Sequence, residues 1–357
     1  MGAGHGRLAK TLISPKDIRA LRRSLLCWYS LHCRDLPWRR THDPYAILVS
    51  EVMLQQTQVA AVVPYYNRWL RRFPTIRSLA RATESDVLHV WQGLGYYARA
   101  RNLHRCSKLI GEKFGGIFPS DPNELKSLPG IGRYTANAIA VFAFDQPLPL
   151  VEANTGRILA RLFNIRDPID SSSGRRKVWE ASAKLVPRKR ARDFQNAMMD
   201  LGSLICTVRN PRCPVCPVRK FCRAREPGSL PRKRKRAAIV PLTESHRLCV
   251  TGDALLLEQS RQRWHGMWIL PPLKLDCFKQ SNSRRRPIHT SVFPFTNHRV
   301  TLRVYRQRAH HVDPRVQRWF RKEELNAIPI PSPHRRAINA LFSSQPATGL
   351  HRKRSLE

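Results

Sequence analysis

Residues 128–157 read LPGIGRYTANAIAVFAFDQPLPLVEANTGR. Leu128-Pro129-Gly130-Ile131-Gly132 sets two glycines, one residue apart, ahead of Tyr134-Thr135-Ala136-Asn137-Ala138-Ile139-Ala140, whose small and apolar side chains suit a packed helix. A glycine turn at a helix start leaves backbone N–H groups free, and an anion can sit on them. The same residues serve equally as an interhelical turn without a ligand. Beyond that helix, a loop delivers Glu152, Ala153 and Asn154 to the start of another helix with Ile158, Leu159, Leu162 and Phe163 on its apolar face.

Charge tips the choice for the glycine turn. The 357 residues carry 64 Lys+Arg against 25 Asp+Glu, a formal charge of +39, which sets up a long-range field for polyanions. A membrane role is weakly supported, because no apolar run is long enough to cross a bilayer and no secretory signal stands at the short basic arm MGAGHGRLAK. The length predicts two or three domains. Nine cysteines are unevenly spread, with five scattered (Cys27, Cys33, Cys106, Cys249, Cys277), so a disulfide framework is not expected and a reducing compartment is.

Working upstream, residues 14–31 place Ile18, Leu21, Leu25, Leu26 and Tyr29 at helical spacing after Ser14-Pro15. Arg34-Asp35-Leu36-Pro37-Trp38-Arg39-Arg40 reads as a basic turn, either solvent-exposed or at the edge of a pocket. Residues 44–65 form the next strong segment, with Glu51 as a lone carboxylate in an apolar run. Desolvation would raise its pKa and suit it to donate a proton at neutral pH, unless it faces solvent or an ion-pair partner. Gln55, Gln56, Thr57 and Gln58 are uncharged, and their amides match base edges better than phosphates. After the Gly93-Leu94-Gly95 turn, Tyr96 and Tyr97 precede Arg99 and Arg101, a mixture that stacks on bases and neutralises phosphates or simply packs in a core. Glu51 and Glu152 thus emerge from one all-helical region, and such a pair would supply an acid and an anion beside a developing cation.

Downstream, helical patterning continues over 177–204 with a break at 186–190. Cys206, Cys213, Cys216 and Cys222 then follow at spacings of six, two and five residues, with no histidine among them. Four thiolates so placed would hold an iron–sulfur cluster or a zinc ion. The run Pro231-Arg232-Lys233-Arg234-Lys235-Arg236 reads as an interdomain linker that could double as a nucleic-acid patch or nuclear signal. Past it the pattern turns strand-like at 248–250, 254–259, 267–270 and 300–305, closed by a helix from Ser332, which predicts a mixed α/β domain.

Together, Leu36-Pro37-Trp38-Arg39, the segment Ser50 to Val59, the segment Gly93 to Leu103, Leu128-Pro129-Gly130-Ile131-Gly132 and the four cysteines resemble the helix-hairpin-helix, iron–sulfur DNA glycosylases, and specifically their adenine-acting branch. The resemblance implies a multidomain chain. An all-α helix-hairpin-helix glycosylase domain over 14–225, with a 4Fe–4S cluster loop at 206–222, precedes a basic linker over 226–238 and a Nudix-like α/β lesion-recognition domain over 239–345. It implies a monomer that hydrolyses the N-glycosidic bond of adenine opposite 8-oxoguanine or guanine in double-stranded DNA. Such a protein would work in the bacterial cytoplasm, or in the nucleus of a eukaryote.

Residue by residue, the resemblance makes Glu51 the acid that protonates adenine, with Glu152, Asn154 and Tyr134 completing the catalytic group. Gln56 and Tyr96 would enter the duplex, Thr57 and Leu94 would lie near the lesion base, and Arg39 and Gln55 would join them on DNA. Gly130, Ile131 and Gly132 would hold a phosphate with a monovalent cation. Tyr134 replaces the lysine of lyase-active relatives, which implies base hydrolysis without strand cleavage. Two departures stand out. Glu152 replaces the family aspartate and is one methylene longer, and Phe295-Thr296-Asn297-His298 replaces a Phe-Ser-His loop. The first leaves a lesion-binding protein with impaired catalysis as an alternative; a thymine or uracil mismatch glycosylase is a further one, disfavoured by Glu51 and by the second domain. Asn196 stands where some members have glutamate.

Overall fold

A computed structural model describes residues 13–235, 237–273, 286–309 and 311–342. The basic arm at the N-terminus, Arg236 and Cys277 lie outside them. The described chain forms two compact units, one of 13–80 with 105–235 and the other of 81–104 with 237–342.

The first unit is helical throughout. Its centre is the helix Pro44–Leu54, capped by Asp43, whose carboxylate accepts from the Tyr45 and Ala46 N–H groups, with Pro44 in the first turn. Every residue from Tyr45 to Met53 is buried, so this helix is enclosed on all sides rather than amphipathic. It packs against Arg133–Phe144, the helix of the glycine turn, which is preceded by the short helix Pro122–Lys126. A second layer joins Pro15–His32, Ala153–Leu162, Ser172–Leu185 and Ala191–Leu204 around Leu21, Leu25, Ile158, Phe194 and Leu201. Cys206, Cys216 and Cys222 lie against the edge of that core.

The sequence pattern over 44–65 suggested one segment, but the chain breaks it at Gln55–Gln58 into Pro44–Leu54 and Val59–Arg72. The cause is local: Gln56 adopts φ 59°, a left-handed conformation that no helix continues through.

The second unit contains two sheets. In one, β1 (Val240–Leu248) pairs in parallel with β6 (His298–Arg306), which pairs antiparallel with β5 (His289–Phe295). In the other, β3 (Ala254–Gln259) is flanked by β2 (Val250–Thr251), β4 (Trp268–Ile269) and β7 (Gln317–Arg321). The mixed α/β reading holds, with the helix Ser332–Phe342 in place. Leu255, Leu256 and Leu257 are all buried, so β3 is covered on both faces. The 14–225 boundary differs in one place, since Arg81–His104 belongs to the second unit. Gly266 sits close to Glu84 and Leu88, and the Ile330 N–H donates to Gln92 Oε1 at 3.4 Å.

Candidate active site

Glu51 is near the end of the enclosed helix and only 7% exposed. Burial pushes its carboxyl up to about 7; the Tyr134 hydroxyl, hydrogen-bonded to it, opposes the rise, and the negative charge of Glu152 adds to it. Tyr134, in the first turn of the glycine-turn helix, is itself driven well above the usual phenol range by burial and by the two carboxylates.

Glu152 is the N-cap of Ala153–Leu162. Its Oε2 accepts from the Asn154 N–H at 2.7 Å and its Oε1 from the Thr155 N–H at 2.8 Å, while its own N–H donates to Thr155 Oγ1 at 2.8 Å. Burial raises its pKa, and these N–H groups together with the Arg157 charge work against that rise. The two acids therefore differ in kind. Glu51 has one hydroxyl partner in an apolar helix, whereas Glu152 has a helix N-terminus that favours an anion.

Both open into one cavity of about 390 Å³ that is also lined by Tyr134, Asn154, Asn196, Arg39, Gln55, Gln56 and Thr57. Such a volume suits a small aromatic ligand. Eight residues singled out from the sequence as catalytic or DNA-binding thus meet in one place. Gln56 is held there with φ 59°, a strained backbone of the sort that persists at functional loops.

Arg39 faces the cavity with its charge already matched. Its Nη1 and Nη2 donate to Asp200 at 2.7 and 2.8 Å, and Arg34 Nε donates to the same carboxylate at 2.6 Å. Burial alone would raise Asp200, but the two arginines hold it below the ordinary carboxylate range. Asp200 is a residue that sequence reasoning missed, as are Arg157 and Arg161. Arg157 Nη2 donates to Asn154 Oδ1 at 2.8 Å and to the Gly202 carbonyl at 2.7 Å, and its Nε donates to the Cys206 carbonyl at 2.8 Å. Arg161 is 1% exposed and donates from Nη1 to the Thr207 carbonyl at 2.7 Å and to Cys206 Sγ at 3.2 Å. Two arginines four residues apart amid Ile158, Leu159 and Leu162 were the available signal.

The glycine turn has the expected form. Gly130 takes φ 77° and Gly132 caps the helix without a side chain, with open space where a Cβ would stand, while Ile131 is buried. The four cysteines are free thiols on two short 3₁₀ turns and the preceding loop. Among the described residues no three His, Cys, Asp or Glu side chains are arranged around a single metal ion.

Within the second unit, Leu94 is buried and Tyr96 is 43% exposed with φ 48°. Arg99 Nη2 donates to the Leu94 and Gly95 carbonyls at 3.0 and 3.1 Å, bracing that turn. Thr296 and Asn297 form the exposed two-residue tip between β5 and β6, bounded by the Phe295–His298 pair, with Thr296 at φ 53°.

Residues 49–186 match the family model described as HhH-GPD superfamily base excision DNA repair protein. The adenine DNA glycosylase of Buchnera aphidicola subsp. Baizongia pistaciae is 36% identical over 261 residues, covering 72% of this chain and 72% of that protein. The chain belongs to the adenine DNA glycosylase family. Another family member, from Rattus norvegicus, is 43% identical over 235 residues, covering 61% of this chain and 46% of its own length. The chain thus matches less than half of that relative. Among solved structures, a thermostable thymine-DNA glycosylase superposes with a TM-score of 0.54 at 27% identity, over 58% of this chain and 96% of that one. The family match takes in Glu51, Tyr134 and Glu152, while Arg39 and Asn196 of the same cavity lie outside it.

Proposed function

We propose that this chain is a monofunctional adenine DNA glycosylase that hydrolyses the N-glycosidic bond of adenine opposite 8-oxoguanine or guanine in duplex DNA. The observation that carries the proposal is that Glu51 and Glu152 line one cavity, one carboxyl poised to give a proton and the other held by helix N-terminal N–H groups that favour its ionised form. A base reaches such a cavity only by flipping out of the duplex. Glu51 then protonates the leaving adenine, and the sugar left behind carries positive charge. Glu152 stabilises that cation from its cap position, where preorganised N–H groups hold the carboxylate in place before the reaction. Tyr134 orients the Glu51 carboxyl and offers no amine for an imine, so strand cleavage is not expected.

The glycine turn would hold a phosphate on its free N–H groups, together with a monovalent cation. Gln56 at the cavity and Tyr96 on its own strained turn would enter the duplex, with Thr57 and Leu94 near the lesion base and Gln55 on DNA, and the Thr296–Asn297 tip would read the oxidised guanine. On this reading the second unit would be a Nudix-like lesion reader.

The residues fit a 4Fe–4S cluster at Cys206, Cys213, Cys216 and Cys222. The thiols are close enough for the charges of Cys206, Cys213 and Cys222 to raise the Cys216 pKa, behind burial as the main cause. The Arg161 guanidinium donates to Cys206 Sγ at 3.2 Å, which braces the first of the four sulfurs. A cluster binds each thiolate to a different iron, which spreads the sulfurs farther than one ion would. Bound there, the cluster would fix the basic loop at 207–212 as a surface for DNA.

Single-turnover release from duplexes with adenine opposite 8-oxoguanine, adenine opposite guanine and thymine opposite guanine tests the reading. Adenine release alone, abolished in Glu51→Gln and without a borohydride-trapped adduct, is the expected result. Tight binding with no release, cured by Glu152→Asp, would establish a lesion-binding protein instead. Thymine release would move the chain to the mismatch glycosylases. Iron content and visible absorbance of anaerobically purified protein test the cluster.

A further inference from the structure

The basic run at 231–236 looks in sequence like a free tether, yet the main chain at Arg232 and Arg234 is fastened to the first unit. The Ile169 N–H donates to the Arg232 carbonyl at 3.0 Å, and the Arg234 N–H donates to the two Asp170 carboxylate oxygens at 3.0 and 3.2 Å. Just upstream, Arg161 Nε donates to the Leu230 carbonyl at 3.0 Å. The side chains of Arg232, Lys233, Arg234 and Lys235 are all exposed.

Two residues past Asp170, Ser172 lines a second cavity of about 450 Å³ with Arg133, Arg175, Arg176, Trp179 and Glu180. Arg133 directly follows Gly132 of the glycine turn, and its guanidinium carbon lies 3.8 Å from the Trp179 ring centroid. That contact holds the cation in place and leaves it charged. Glu180 is matched by Arg176 at 3.8 Å, and among the described residues Arg133 and Arg175 hold no ion pair.

The geometry points to one basic strip, running from the glycine turn through Arg133 and Arg175 to the fastened segment at 232–235, that binds the sugar–phosphate backbone of duplex DNA outside the mismatch. This inference rests on the DNA glycosylase reading above and adds a surface that reading does not use. Fixed cations spaced along a surface release condensed counterions without the cost of ordering a loose chain. A nuclear import receptor fits less well, because extended-peptide recognition uses main-chain groups, and the Arg232 carbonyl and Arg234 N–H are already occupied.

The test is the salt dependence of duplex binding by the full chain, for mismatched and fully paired DNA. The set Arg232→Ala, Lys233→Ala, Arg234→Ala is expected to lower the slope of log K against log salt by about 2 to 3, and Arg133→Ala with Arg175→Ala by about 2. Both duplexes should weaken equally, since phosphate contacts carry no sequence information. Lysine in place of Arg175, Arg232 and Arg234 should keep the wild-type slope. If an alanine set fails to fold, the exposed single change Arg175→Glu must still weaken both duplexes. An unchanged slope, or a loss confined to mismatched DNA, overturns the strip; an unchanged slope with loss of import-receptor binding returns the run to a nuclear signal. Wild type that binds with a steep salt slope but releases no adenine would instead sink the glycosylase reading and leave the strip standing.

Discussion

Glu152 and Thr155 bond each other reciprocally, the Thr155 N–H reaching the Glu152 carboxylate at 2.8 Å and the Glu152 N–H reaching Thr155 Oγ1 at 2.8 Å. This reciprocal cap absorbs the extra methylene of a glutamate by folding it back over the first turn of its own helix. The cap gives one side chain two duties, holding the helix start and presenting an anion to the cavity.

The two duties separate by substitution. Glu152→Ala loses both, costing about 1 kcal/mol of stability from the cap and base release on the order of 100-fold or more. Glu152→Asp restores a preferred cap residue, so its stability should lie within about 0.5 kcal/mol of wild type. Urea unfolding beside single-turnover release reads the two effects independently.

Glu51 makes both stability and rate depend on pH. Its folded pKa, raised to about 7 from the ordinary 4.5, means the folded state keeps a proton that the unfolded state has lost. The stability it contributes is therefore full below the unfolded value and falls as pH rises toward about 7, on the order of 3 kcal/mol in all. Glu51→Gln should flatten that slope and be the more stable protein at about pH 8. Base release, which needs the proton, should fall about tenfold per pH unit above about 7.

Gly202 is a second place where stability and site are joined. A Cβ there would stand 2.6 Å from the Asn154 Cβ and 3.3 Å from Ile158 Cδ1. Gly202→Ala should cost about 1–3 kcal/mol and push the start of the Glu152 helix away from its partner helix. A shift of about 1 Å at the reacting groups would slow release on the order of 100-fold. Thermal melts and single-turnover rates on the same preparation check both.

Asp200, fully buried, serves both Arg34 and Arg39. Asp200→Ala leaves two cations beside the cavity without an anion and should cost about 3–5 kcal/mol in urea unfolding. Asp200→Asn keeps one acceptor oxygen but turns an NH2 donor toward the arginines, so it should also destabilise, by less than the alanine change if the oxygen keeps two of the four bonds.

Much of the site is legible in the residue order. Glu51 stood out as a carboxylate in an apolar run, and Leu128–Gly132 as a turn that only glycine makes without strain. These signals are local, and local chemistry shows in local sequence. The break at Gln56 was not legible, because glutamine does not signal the left-handed backbone it adopts there. Arg157 and Arg161 were passed over for the opposite reason. They sit in a helix with a clear apolar face, and their partners at Cys206, Gly202 and Leu230 are 45 to 69 residues away in sequence.

From residue order alone came the helical and mixed α/β halves, the glycine turn, the two acids and the cysteine loop, since periodicity and spacing are properties of neighbouring residues. Three matters needed the chain folded: that Glu51, Tyr134 and Glu152 face one cavity, that Asp200 neutralises Arg39, and that the basic segment at 232–234 is fastened down rather than free. Each depends on which distant segments come into contact, and burial, hydrogen bonding and Coulomb energy act through space rather than along the chain.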